Sequence, residues 1–232
     1  MLALVDRARQ ERSMNSVSFS LAGEPLEAFA SGALHWPTER MLIVSDLHLG
    51  KSERIARRGG VLLPPYDTAE TLERLQSDIE ALRPQTVLCL GDSFDDLAAA
   101  EAIDDVCRAT LLRLQAGRNW LWVEGNHDPG PVDLGGSHVD KVRRRNLVFR
   151  HIAIPDECGG EVSGHYHPKA RLRGTRRPCF LTDGTRLIMP AYGAYTGGLD
   201  WTTPVLRGLL SDQATAFLTG RKVLTVPVPR NT

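Results

Sequence analysis

Met41-Leu42-Ile43-Val44-Ser45-Asp46-Leu47-His48 is the stretch on which the reading of this chain turns. Four apolar residues stop at a polar pair, and a histidine follows the acid two places on. An apolar run this short, bounded by polar residues, reads as a buried strand. Such a strand delivers Asp46 and His48 together to a loop at its carboxyl end. An oxygen and a nitrogen ligand so placed can grip one metal ion. A pair this short recurs by chance, so its weight comes from the rest of the chain.

The same pattern returns four times, in order. Thr86 to Leu90 ends at Gly91-Asp92, and Trp120 to Val123 ends at Gly125-Asn126-His127-Asp128. Leu147 to Phe149 is followed by His151, and a shorter run closes at Gly164-His165-Tyr166-His167. Five of the seven histidines fall in this set. Buried histidines that merely satisfy hydrogen bonds account for one or two of them, not for five at strand ends beside Asp46, Asp92 and Asn126. Two aspartates, an asparagine and three or four histidines exceed what one four-coordinate zinc takes. They suit two ions about 3.5–4 Å apart, the arrangement for phosphoester hydrolysis. In that arrangement a carboxylate bridges the ions, and Asp92 is central in the order. A water held between the cations is the nucleophile, and one histidine is kept off the metals as an acid.

Between these blocks lie helices. Asp67 or Thr68 caps a helix carrying Leu72, Leu75, Ile79 and Leu82, which Pro84 stops. A second helix is expected from about Leu97 to Ala116, with Ile103, Val106, Leu111 and Leu114 inward and Gly117 as its stop. Strand, helix, strand, helix, strand is a βαβ pattern. Val17 to Leu21 and Ala33 to Trp36 are expected to form an edge hairpin ahead of it. A polar stretch after Gly136 could be a turn of helix, and everything beyond Leu147 reads as strands. Asp183-Gly184 and Thr219-Gly220 mark hairpins there. The fold class is therefore α/β: two mixed β-sheets packed face to face, flanked by helices. Residues 1–15 read as an N-terminal extension and residues 16–232 as one domain.

With 232 residues, 42% hydrophobic and 24% charged, the chain has an ordinary globular composition, large enough for a sizeable core. No apolar run reaches the length of a membrane span. The charged N-terminus lacks the apolar core of a secretory signal. Cys89, Cys107, Cys158 and Cys179 show no paired spacing and read as reduced thiols of a cytoplasmic protein. Zero net charge argues against a chain that coats nucleic acid generally. The distribution is uneven, however: Lys141 to Arg177 holds ten bases against three acids. Such asymmetry can mark a polyanion-facing side, or simply a solvated basic face.

At these residues the chain resembles the calcineurin-like metallophosphoesterases, whose pattern is D-x-H, GD, GNH[DE], H and GHxH. All five blocks stand here between about residues 41 and 170. The resemblance implies a four-layer sandwich and a hydrolase with two divalent ions, with manganese, iron, zinc or nickel as candidates. It implies one ion on Asp46, His48, Asp92 and His167, and the other on Asp92, Asn126, His151 and His165. It leaves His127 at the scissile phosphate or leaving group, with Asp128 orienting it. Within the family the chain is similar to the bacterial ligase-associated metallophosphoesterases of the DNA damage response. Residues 57–68 (RRGGVLLPPYDT) and 189–198 (MPAYGAYTGG) carry that likeness. It implies a nuclease or endonuclease on single-stranded or damaged DNA, associated with a DNA ligase and helicase in repair. Arg57, Arg58, Tyr166, Lys169 and Arg171 are candidate substrate contacts, and Tyr166, Tyr192 or Tyr195 could stack on a base. Asp96 stands where the Ser/Thr protein phosphatases place an arginine, which sets that branch aside. Two alternatives are an esterase on small phosphoesters such as cyclic nucleotides, and a non-catalytic subunit of a ligase–helicase assembly.

Overall fold

The computed structural model describes residues 15–57, 66–130, 132–155, 159–172 and 174–229. Of the expected N-terminal extension, residues 1–14 lie outside these. So do Arg58, residues 59–65, Cys158 and the Arg57 side chain.

The first half of the chain runs β1 (Ser16–Leu21), β2 (Glu24–Phe29), β3 (Leu34–Trp36), β4 (Met41–Val44), α1 (Lys51–Arg57), α2 (Asp67–Leu82) and β5 (Thr86–Leu90). It continues through α3 (Leu97–Glu101), α4 (Asp105–Gln115), β6 (Asn119–Val123) and β7 (Ser137–Val139). These strands form one seven-stranded sheet in sequence order, antiparallel up to β4 and parallel from β4 to β7. The second half adds β8 (Val142–Arg144), β9 (Leu147–Arg150), β10 (Glu161–Ser163), β11 (Lys169–Leu172), β12 (Thr175–Thr182) and β13 (Arg186–Ile188). A helix α5 (Pro204–Leu209) precedes β14 (Thr215–Leu218) and β15 (Leu224–Pro227). This sheet is ordered β15-β14-β12-β13-β10-β9-β8, with β11 on β12, and β9, β10 and β13 are parallel.

Strand alternation builds the layers. In β4, Met41 and Ile43 face Phe149, Val162 and Leu187 of the second sheet. Leu42 and Val44 face the other way, against Leu72, Leu75 and Ile79 of α2 and Leu111 and Leu114 of α4. A strand buried on both faces must be apolar throughout, and so β4 and β5 read as unbroken runs. The outer face of the second sheet (Cys179, Leu181, Ile188, Ala216, Leu218) is covered by Trp201 and Leu206. The result is the expected four-layer sandwich of two mixed sheets with helices outside. The parallel strands β4, β5 and β6 of one sheet and β9 and β10 of the other all have their carboxyl ends at the loops that carry the five motifs. Loops at the carboxyl ends of parallel strands are where open α/β sheets place ligands.

Several local expectations need correction. β1 pairs with β2, not with the Ala33 to Trp36 strand. The strand over Glu24–Phe29 is hidden in sequence by Glu24, Pro25 and Glu27. The single helix from Leu97 to Ala116 is two helices, because Asp104 turns its carboxylate onto the N–H groups of Val106 and Cys107, both at 2.9 Å. That cap starts a new helix and leaves Val106 exposed, not inward. The polar stretch after Gly136 forms β7 and β8, and α5 interrupts the strand-rich second half. Asp67 and Thr68 do not cap α2. Asp67 accepts from Ser52 N (3.1 Å) and Ser52 Oγ (2.6 Å), and Thr68 Oγ1 accepts from Gly50 N at 2.9 Å. They tie α2 to the loop that carries His48. Cys89 and Cys179 are buried free thiols, and Cys107 is buried.

Candidate metal centre

The loops leave their strands by an unusual route. Asp46, His48, Asp92, His165 and His167 all hold left-handed backbone, with φ between 45° and 69°. For a residue with a Cβ this costs about 1–2 kcal/mol each. Hydrogen bonds past the strand ends over-determine it. Asp46 N donates to Gly91 O (3.2 Å), His48 N to Asp92 O (3.0 Å) and Leu49 N to Ser93 O (2.9 Å). The turn at each strand end swings the next side chains inward. The sheets meet closely here: a Cβ on Gly164 would stand 1.8 Å from Ser45 Oγ and 2.4 Å from Asp46 Oδ2.

Two groups of ligand atoms result. Asp46, His48 and His167 form one, and Asp92, His151 and His165 the other, each with its ligand atoms within 4.8 Å of one another. In the first, His167 Nε2 lies 3.0 Å from Asp46 Oδ1 and 3.4 Å from His48 Nε2. In the second, His151 Nε2 lies 3.3 Å from Asp92 Oδ2, 3.0 Å from Asn126 Oδ1 and 3.3 Å from His165 Nδ1. The groups adjoin: His165 N donates to Asp46 Oδ2 at 3.0 Å, and His151 Nδ1 is 3.9 Å from Asp46 Oδ1. Asp46, Asp92, His48 and His151 are buried.

Outward partners aim the rings. His48 Nδ1 donates to Asp95 Oδ1 at 2.9 Å, and His151 Nδ1 to Leu90 O at 3.1 Å. An acceptor on one ring nitrogen fixes the proton there and leaves the other a lone pair. Both Nε2 lone pairs therefore point into the centre. Burial pushes the Asp46 carboxyl up, but His167, His151 and Ser45 outweigh it and hold it below its ordinary value. Burial opposes Asp92 in the same way, yet His151 and His127 bring it to about 2. Both acids are anions, and two anions within a cage of imidazoles are a donor set built for cations.

Asp95 is the residue that the sequence reading passed over. It is fully buried, holds His48 through one oxygen, binds Arg54 through the other, and accepts from His127 Nδ1 at 3.0 Å through its backbone carbonyl. The His48–Asp95–His127 group also brings three possible ligands together, but its His48–Asp95 contact is the hydrogen bond already described. The signal available was position alone, three residues after Asp92. His127 leaves its Nε2 4.0 Å from Asp92 Oδ2 on a side chain one-third exposed, at the mouth of the centre.

Asp128 does not orient His127 as expected. Its carboxylate faces away, accepting from Ser93 N (2.8 Å), Phe94 N (3.1 Å) and Gly125 N (3.1 Å). Those three donors belong to the loops after β5 and β6, so Asp128 staples one loop to the other. Burial pushes it up to about 6, with the Asp92 charge adding and the Phe94 bond opposing. Asp96 caps α3 through Ala99 N at 2.7 Å.

Among the candidate substrate contacts, Tyr166 packs edge-on to His165 at 5.0 Å between ring centres. Lys169 Nζ donates to Thr196 O at 2.7 Å, and Arg171 Nε lies 3.9 Å from Asp200. The Arg143 to Arg145 cluster sits at the amino end of β9, away from His151 at its carboxyl end. Arg144 and Arg145 reach Glu39 there at 2.5 and 2.6 Å. Arg150 lies 3.3 Å from Glu161. That half of the basic excess is neutralised and turned from the centre. Residues 189–198 do adjoin it: Tyr192 N donates to Ser45 O (2.7 Å) and Gly193 N to Asp46 O (3.1 Å).

Residues 39–200 match the family model for calcineurin-like phosphoesterases. Among solved structures, the crystal structure of Pseudomonas putida nuclease MPE matches with a TM-score of 0.73 and 28% identity, over 91% of this chain and 100% of that one. None of the curated proteins matches.

Proposed function

The chain belongs to the calcineurin-like phosphoesterase family and is a metal-dependent phosphoesterase; from that premise we propose that it hydrolyses phosphodiester bonds of DNA. The observation that carries the metal half of this reading is the convergence of ring nitrogens. His48 Nε2 faces His167 Nε2 at 3.4 Å, and His151 Nε2 faces His165 Nδ1 at 3.3 Å. His48 and His151 keep their protons on the outward nitrogens, so their inward Nε2 atoms are available to a cation. Two divalent ions fit this donor set. Asp46, His48 and His167 would hold one, Asn126, His151 and His165 the other, with Asp92 shared. Imidazole and carboxylate ligands suit manganese, iron, zinc or nickel. When bound, such ions supply Lewis acidity, easing loss of a proton from water and offsetting charge on phosphate oxygens.

The chain's own residues supply the rest. His127, tethered through Nδ1 to Asp95 O, presents Nε2 to the leaving oxygen and can pass it a proton. That nitrogen lies 4.0 Å from Asp92 Oδ2, at the edge of the ligand set. Asp95 keeps both His48 and His127 in register. DNA as substrate is supported by the name of the matched structure, a nuclease, and by the basic residues that follow His167. A role in DNA repair beside a ligase and helicase, in the cytoplasm, extends the same reading. Among the described residues no helix is long and apolar enough to cross a membrane.

The test combines metal analysis with cleavage. Purified protein should carry or take up two ions per chain. With Mn²⁺ it should cut single-stranded and nicked DNA as well as bis-p-nitrophenyl phosphate. Activity confined to the small ester would sink the DNA reading and leave the phosphoesterase. That second reading, a small phosphoester substrate, has one observation in its favour: the arginines at 144 and 145 are already engaged by Glu39.

A further inference from the structure

The rim above Asp46, His48 and His167 differs from the rim above Asn126 and His151. Residues 193–199, between β13 and α5, cross that side and are fastened to it at two points. Gly193 N donates to Asp46 O at 3.1 Å, and a Cβ on Gly198 would stand 2.1 Å from His167 O. Tyr195 lies between the two fastenings. It is 50% exposed and holds left-handed backbone, φ 55°, which is rare for a bulky side chain. The loop thus keeps a large aromatic ring half-exposed between its two fastenings to Asp46 and His167.

Cations surround the same loop. Lys169 Nζ donates to Thr196 O at 2.7 Å and Arg176 Nη2 to Gly198 O at 3.3 Å. Arg171 stands opposite Arg176 across the β11–β12 pair. Lys51 opens α1, three residues after His48. The acids on this side are the buried Asp46, whose backbone carbonyl holds Gly193, Asp200, beside Arg171, and Asp95, which His48 and Arg54 engage.

We propose that this rim is a nucleotide subsite, in which Tyr195 stacks on the base next to the scissile phosphate while Lys51, Lys169 and Arg176 face the following phosphate. The inference rests on the phosphodiesterase reading above and narrows its substrate to an oligonucleotide of at least two nucleotides. Aromatic rings stack on any base, so the subsite selects for a nucleic acid chain, not for sequence.

The test compares kcat/KM on a short oligonucleotide with kcat/KM on bis-p-nitrophenyl phosphate, which has no base to stack. Tyr195→Ala should lower the ratio about 10-fold, and Tyr195→Trp should restore it. Binding of a fluorescein-labelled oligonucleotide in EDTA, read by anisotropy, gives a second measure. Arg176→Ala should weaken it and reduce the slope of log Kd against log salt by about 0.7, one phosphate contact. Equal losses on both substrates would show that Tyr195 only shapes the loop, and would overturn the inference, as would an unchanged salt slope. Wild-type protein that cuts the oligonucleotide with a ratio indifferent to Tyr195 overturns this inference alone. Wild-type protein that cuts no oligonucleotide overturns the DNA reading with it.

Discussion

Strand β10 has a buried charge cluster at each of its two ends, and the two clusters are built on opposite principles. At the amino end, the Glu161 carboxylate meets Arg186 Nε at 2.7 Å, Arg150 Nε at 3.3 Å and Ile154 N at 3.0 Å. Arg186 spends its other nitrogens on Leu209 O (2.6 Å), Ile154 O and Pro155 O (3.3 Å). Acid meets base, and the partners come from the chain itself. At the carboxyl end, Gly164 is followed by His165 and His167, whose nitrogens converge with those of His151 and His48 upon Asp46 and Asp92. There, among the described residues, two carboxylates meet four imidazoles and no lysine or arginine. The first cluster holds β10 to the segment at Ile154 and to the end of α5. The second costs folding energy, in left-handed backbone and buried carboxylates, that a bound cation offsets. A buried charge cluster thus shows its purpose by whether its partners come from the chain.

If that contrast is right, each cluster breaks in its own way. The largest effect is expected for Asp92→Asn, which removes the carboxylate of the second ligand group. Hydrolysis of bis-p-nitrophenyl phosphate should fall on the order of 1,000-fold, and bound metal should drop below two per chain. The unfolding midpoint of the metal-free protein should change little. Arg186→Met should do the reverse. It leaves Glu161 buried with one guanidinium fewer and should cost about 3–5 kcal/mol in urea unfolding, with activity per folded molecule retained. Loss of activity without loss of stability would erase the distinction between the clusters.

Asp95→Asn sharpens the picture further, because Asp95 joins the two principles: it is paired within the chain, yet it serves the centre. Metal affinity measured by competition with a chelating dye should weaken about 10- to 100-fold. His127 keeps its backbone anchor, so kcat at saturating metal should suffer less than affinity. The smallest effect belongs to Asp128→Asn. An amide can still accept from Ser93 and Phe94 but presents N–H to the N–H of Gly125. The expected loss is about 1 kcal/mol by thermal or urea unfolding. A loss of catalysis greater than the loss of stability would return Asp128 to the role of orienting His127.

Much of the fold was legible because strands buried on both faces have no polar residue to spare. Met41 to Val44, Thr86 to Leu90 and Leu147 to Phe149 stand out for that reason. What the pattern missed was mixed in character. Glu24–Phe29 pairs at an edge, where Pro25 and two glutamates are tolerated. The break at Ala102 to Asp104 is one side chain's choice between continuing a helix and capping a new one. The basic count from Lys141 to Arg177 was visible as a number but not as a surface. Glu24 and Glu39 come from far along the chain to neutralise part of it.

The sequence by itself determined that carboxylates and imidazoles would stand at the ends of strands, because the apolar runs and their polar stops are local facts. It determined the sandwich through the order of elements, a βα-rich first half followed by a strand-rich second half. Only the tertiary structure decided which nitrogen of each histidine faces the centre, since that depends on Asp95 and on the carbonyl of Leu90, each contributed from another strand's end. It also decided that Asp128 binds backbone, that the Arg143 to Arg145 turn faces away, and that Tyr195 stands at the rim. Those are questions of direction, and direction is fixed by hydrogen bonds between segments that the chain brings together only on folding.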